Sequence, residues 1–208
     1  MMIDIIIAGE DLVTQEIARR ILNYSVARFN ITRVEPVRGA EIKNKILNYN
    51  RLNLPVCILT DLDNANCPPS LIQDWFKGQE INPNLIFNIA CDEAEAWLMA
   101  DKRSFSKFLG IKEEDIPGIK KVDRRNPNNI ELDFKYKPSL FMMRELLPKS
   151  NNKNLADKLR PREGAKKGPE YNSTLIPFIR NEWDISLAKQ NSYSLQKALK
   201  RIASFQNH

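Results

Sequence analysis

Short apolar runs alternating with amphipathic helical patterns constrain this chain more than any other feature. Residues 3–9 (IDIIIAG), 54–60 (LPVCILT) and 84–91 (NLIFNIAC) are apolar with little alternation, as strands covered on both faces are. A weaker run at 31–39, ITRVEPVRG, is broken by Pro36, which suits an edge strand. Helical patterns follow at 12–24, 40–50, 68–78 and 92–101. In the first of them Leu12, Ile17, Ile21 and Leu22 fall at helical spacing opposite Glu16, Arg19 and Arg20. Such alternation predicts an α/β fold with a mainly parallel four-stranded sheet and right-handed crossovers. If the sheet is doubly wound, the first and third strands are neighbours and ligands bind at the carboxyl rim where the strand order reverses.

That rim is rich in acid. Glu10 and Asp11 follow the first run, and the third run stops at Asp61 and Asp63 with Leu62 between them. Alternation along extended backbone points the two aspartates one way and Leu62 back to the core. Paired hard oxygens suit Mg2+ or Mn2+, and adjacency of the two strands brings Glu10 to the same place. The plainer alternative is a solvated turn whose aspartates cap a helix starting at Pro68 or Pro69. Asp92, Glu93 and Glu95 follow the fourth run, with Asp101 about two turns on. In a first helical turn such acids are stabilised by the helix dipole without any ligand.

Composition narrows the chemistry. The chain has 208 residues, 42% hydrophobic and 28% charged, an ordinary globular balance. No run has the length of a membrane span and the N-terminus lacks the pattern of a signal peptide, so the expectation is a cytoplasmic protein with no membrane association. The only histidine is His208, which excludes a histidine base or a histidine-rich zinc site. Cys57, Cys67 and Cys91 have no paired ligand spacing; Cys57 and Cys91 read as buried small apolar residues and Cys67 as a loop thiol. Catalysis here has carboxylates, lysines and metal ions to work with.

Charge divides the chain. Residues 1–101 hold 9 Lys and Arg against 14 Asp and Glu, whereas residues 102–208 hold 23 against 12. We read residues 1–103 as the α/β domain and residues 104–208 as a basic, mainly helical C-terminal extension packed on it. A basic half suggests a polyanion such as nucleic acid, although scattered solvated lysines are the commoner cause. In that half a helix begins at a Ser104 cap, residues 110–138 read as a loop or mobile connection, and residues 137–149 as a helix. A basic loop surrounds Lys166 and Lys167, a helix containing Pro177 spans 173–183, and a closing helix starts from a Ser194 cap.

Several blocks together resemble a known pattern. EDLVTQEIARRIL (10–22), LTDLDNANC (59–67), EAWLMAD (95–101), Tyr171 and SYSLQKALKRI (192–202) are similar to the Toprim domain of topoisomerases, primases and several nucleases. More closely, they resemble a prokaryotic family of Toprim-related proteins. The Toprim pattern usually has glycine directly after the glutamate; here Asp11 follows Glu10 and Gly9 precedes it. The resemblance implies a Toprim-like doubly wound sheet and metal-dependent phosphodiester hydrolysis on DNA or RNA, in a defence or repair context. Glu10, Asp61 and Asp63 then hold Mg2+ or Mn2+, with Glu10 a ligand or the base that orients water. Glu95, with Asp101, is the candidate for a second ion. Lys166 and Lys167 neutralise the phosphate or the leaving oxygen, and Arg162, Arg124 and Arg125 touch the backbone. Tyr171 reads as structural or phosphate-contacting, Trp97 as packing behind the fourth strand, and Trp75 and Trp183 as amphipathic anchors.

Two rival readings stand beside this one. A receiver domain shares acids after strand one and Asp61 after strand three, but needs Ser or Thr after the fourth strand, where this chain has Asp92, Glu93 and Glu95. The other rival is a non-catalytic Toprim-shaped subunit binding nucleic acid or a separate ATPase partner, alone or as an oligomer. The chain has no phosphate-binding glycine loop of its own.

Overall fold

The structure, a computed structural model, describes residues 2–24, 28–36, 39, 41–123 and 125–206; Arg124 and His208 lie outside the described residues. Within them the strands β1 (Ile3–Gly9), β2 (Phe29–Val34), β3 (Val56–Asp61) and β4 (Leu85–Ala90) alternate with the helices α1 (Leu12–Tyr24), α2 (Glu41–Tyr49) and α3 (Pro68–Phe76). All neighbouring strands are parallel, in the order β2-β1-β3-β4. The α/β class and the parallel four-stranded sheet expected from the apolar runs are therefore present. β2 ends before Pro36 and lies at an edge, where a residue without an N–H costs no ladder bond.

The register explains the unbroken apolarity. Ile6 pairs with Val56 and Ala8 with Ile58, while Val56 pairs with Leu85 and Ile58 with Phe87. Those residues form one face, buried with Ile42 and Ile46 of α2 and Leu71 and Phe76 of α3. Alternate residues Ile5, Ile7, Cys57 and Leu59 are also buried, so neither face of the central strands reaches water. The outer edge of β4 is covered by a side chain: Arg201 Nη1 donates to Phe87 O at 2.7 Å and to Asn88 Oδ1 at 3.0 Å.

Beyond the sheet come α4 (Ala94–Ala100), α5 (Lys102–Leu109), a 3-10 turn, β5 (Ile119–Lys121) and β6 (Ile130–Leu132). Next is α6 (Pro138–Phe141), which runs on as a π turn through Met142–Leu146. The helices α7 (Lys153–Leu159), α8 (Tyr171–Asn181), α9 (Ile185–Ala188) and α10 (Tyr193–Ala203) complete the chain. Residues 110–138, expected as a loop, instead contain the antiparallel hairpin of β5 and β6. α5 is capped by Asp101, whose Oδ1 accepts from Ser104 N, and not by Ser104. Ser194 lies inside α10, and it is Ser192 Oγ that accepts from Leu195 N. Pro177 sits within α8. Cys91 is half-buried, less covered than expected, whereas Cys57 is buried and Cys67 exposed.

By its internal contacts the chain divides into two compact units, Met1–Ala94 with Lys197–His208, and Glu95–Gln196. In the second unit the hairpin is tied to the start of α10. The buried Glu131 carboxylate accepts from Ser192 Oγ at 2.8 Å and Ser194 N at 2.5 Å, and Trp97 Nε1 donates to Ser194 Oγ at 2.8 Å. Trp183 Nε1 donates to Trp97 O at 3.2 Å, so both indoles are buried with their N–H groups satisfied. No helix among the described residues is long and apolar enough to cross a membrane.

Candidate functional site

The first unit carries an open cleft of about 550 Å3 at the carboxyl ends of β1 and β3, within the range of small-ligand sites. Glu10, Asp61 and Asp63 line it together with Lys43, Asp74 and Trp75. Glu10 is brought there by the pairing of β1 with β3, whose register ends at Gly9 opposite Leu59. Its Oε1 accepts from the Asp61 backbone N–H at 3.0 Å and from the Thr60 hydroxyl. Asp61 Oδ1 in turn accepts from Ala94 N at 2.8 Å, fastening the end of β3 to the turn after β4. Asp63 is exposed and sits in the left-handed region at φ 47°, a conformation aspartate and asparagine tolerate better than most residues.

Close packing requires a glycine at position 9. A Cβ there would lie 2.9 Å from Gln15 N and 3.1 Å from Thr14 C, inside the first turns of α1. The bare backbone lets α1 approach the end of β1 and fixes where Glu10 emerges. Asp11 caps α1: its Oδ1 accepts from Thr14 N at 2.8 Å and Thr14 Oγ1 at 2.9 Å.

Electrostatics in the cleft are one-sided. Burial pushes the Glu10 carboxyl above its ordinary value; the Thr60 and Asp61 hydrogen bonds oppose that, and the charges of Asp63 and Asp11 add to it. Of the described side chains lining the cleft only Lys43 is cationic, and its Nζ lies 2.6 Å from Asp74 Oδ2. The carboxylate oxygens of Glu10, Asp61 and Asp63 are the ligand type that a hard divalent ion takes. Among the described residues no three His, Cys, Asp or Glu side chains are grouped as a metal shell. An ion held here would complete its coordination with water and substrate oxygens, as Mg2+ ordinarily does.

The expected residues from Glu95 onward that are described belong to the second unit, and Asp92 and Glu93 to the first. Glu95 is 5% exposed, and its Oε1 accepts from Tyr171 OH at 2.6 Å and Lys167 Nζ at 3.0 Å. The same ammonium stands 4.4 Å from the centre of the Tyr171 ring, so three groups far apart in sequence form one cluster. Asp101 is fully buried, its Oδ1 on Ser104 N and its Oδ2 on Asp184 N at 2.8 Å. Lys166 and Arg162 are exposed on the loop before α8, and Arg125 is exposed in the turn before β6. Asp92, at φ 67°, and Glu93 precede α4 instead of lying in its first turn.

Sequence reasoning missed Lys43 and Trp75 as cleft residues. Leu71 and Trp75, four apart on α3, carried the only available signal. Compared with protein-family models, with curated proteins and with solved structures, the chain finds no match.

Proposed function

We propose that the chain hydrolyses phosphodiester bonds of nucleic acid with Mg2+ or Mn2+, in the manner of Toprim-type nucleases, at the cleft of Glu10, Asp61 and Asp63. The observation that carries the reading is the meeting of Glu10 with the end of β3 through its 3.0 Å bond from Asp61 N, with Asp63 beside them in one cleft. Held by Asp61 and Asp63, a divalent ion would supply Lewis acidity toward a phosphate oxygen. Glu10, held with a raised affinity for protons, takes the proton of the attacking water. Asp61 orients its carboxylate from the backbone of the β4 turn, and Asp63 presents its own to the solvent side of the cleft. Within the second unit, Glu95, gripped by Tyr171 and Lys167, is the candidate for an ion of its own, and exposed Lys166 for contacts with the nucleic-acid backbone. The same reading carries a separate ATPase partner in a defence setting, to which any ATP chemistry would belong, since the sequence has no phosphate-binding glycine loop.

A cleavage assay on DNA, tRNA and other RNA tests this, with Mg2+ or Mn2+ against chelator and wild type against Asp61→Asn and Asp63→Asn. Asparagine keeps the left-handed backbone at position 63 and an acceptor oxygen at position 61. Metal-dependent cleavage reduced at least 100-fold in both variants is expected. Equal behaviour of all three proteins, or cleavage that persists in chelator, rules the hydrolytic reading out.

A further inference from the structure

Charge alone does not account for how a polyanion would be held in this cleft. Among the described residues its lining offers four carboxylates, those of Glu10, Asp61, Asp63 and Asp74, and one ammonium, Lys43, already 2.6 Å from Asp74. From those side chains a phosphate backbone gains nothing except through a bound cation, so a surface indifferent to charge adds affinity that they do not supply. Trp75 provides one. Its indole lines the cleft and is half-buried, whereas the other two tryptophans, Trp97 and Trp183, are 0% and 1% exposed. From behind, the ring is braced by Phe87 at 5.8 Å, itself edge-on to Phe76 at 5.2 Å. The platform is fixed before any ligand arrives, which lowers the entropic cost of stacking on it. Exposed Asn64 and Asn66 line the same cleft with donors and acceptors suited to a base edge.

We infer that Trp75 is a stacking platform for an unpaired base and that the cleft takes single-stranded nucleic acid in preference to duplex. In a duplex both faces of each base are already covered, so an indole can stack only on a base that is unpaired or extruded. The inference rests on the hydrolytic reading for its choice of polymer, but the two fail separately.

Because Trp75 is the one tryptophan of the three that is not buried, its emission reports on the cleft. The experiment titrates a short single-stranded oligonucleotide, and the same sequence annealed to its complement, into the full chain with Ca2+ in place of Mg2+, following tryptophan fluorescence. Quenching by the single strand and little by the duplex is expected. In the variants, which lack that reporter, binding is read from the anisotropy of a dye-labelled single strand: Trp75→Leu should weaken it roughly 5- to 100-fold relative to wild type, the scale of one base–aromatic stack, while Trp75→Phe retains most of it. Melting temperatures of both variants exclude misfolding as the cause. Equal quenching by duplex, or wild-type affinity in Trp75→Leu, overturns the platform even if cleavage is observed. Selective quenching in a protein that cleaves nothing supports the platform and removes the hydrolysis.

Discussion

Glu10 is held by one backbone N–H and one side-chain hydroxyl and pressed by two neighbouring acids, and the balance leaves its carboxyl above the ordinary value because burial is the largest influence. The native state therefore binds this proton more tightly than the unfolded chain does. Folding stability from this group is greatest in acid and declines as pH rises from about 4.5, the ordinary value, through the higher native one. Glu10→Gln keeps an acceptor for Thr60 and Asp61 but carries no charge. Without divalent metal, the variant is expected to gain stability relative to wild type as pH rises through that window and to match its trend below it. Denaturation midpoints across pH 4 to 8 measure this; a constant offset at all pH values would show that ionisation of Glu10 is not involved.

Elements differ in how plainly they announce themselves. β1 and α1 were legible to the residue, because β1 is a nearly unbroken apolar run of seven residues and α1 carries a helical period over thirteen with a large buried face. The meeting of Glu10 with Asp61 was expected on the condition that β1 and β3 are neighbours, which alternation of strands and helices does not fix by itself and which the pairing of the two strands meets. The hairpin of β5 and β6 was not legible: each strand has three residues, Ile119 is exposed, and Gly118, Pro127 and several asparagines surround them with turn chemistry. What fixes it is distant, the clasp of Glu131 on the first turn of α10. α9, four residues long, is set by the Asp184 cap and has no length in which to show a period. Glu95 was legible as an acid after β4, but its grip by Tyr171 and Lys167 spans more than seventy residues and no local pattern records it. Glu131→Ala should strip Ser194 N–H and Ser192 Oγ of a buried charged acceptor and cost about 1–3 kcal/mol, read as a lowered denaturant midpoint. A loss within a few tenths of a kcal/mol would mean the hairpin is held by something else.

At the scale of the molecule, the cleft acids all lie in the unit Met1–Ala94 with Lys197–His208, whereas Glu95 and the basic loop lie in Glu95–Gln196. Saturation of a native-state ion site adds stability by mass action. Mg2+ at 100 times its dissociation constant contributes about 2.7 kcal/mol, which for a chain of this size raises Tm by roughly 5–10 °C. The shift should vanish with chelator and shrink strongly in Asp63→Asn. Thermal unfolding with and without Mg2+ measures it, and an identical shift in wild type and variant would place the ion elsewhere.

The missing Cβ at Gly9 makes the cleft vulnerable from behind. One methyl group added there would meet the backbone of α1 before it met any acid, so the strand end or the helix would have to yield and take the Glu10 carboxylate with it. A protein altered this way would keep every charge in the cleft and yet aim one of them wrongly, separating the composition of the site from its alignment.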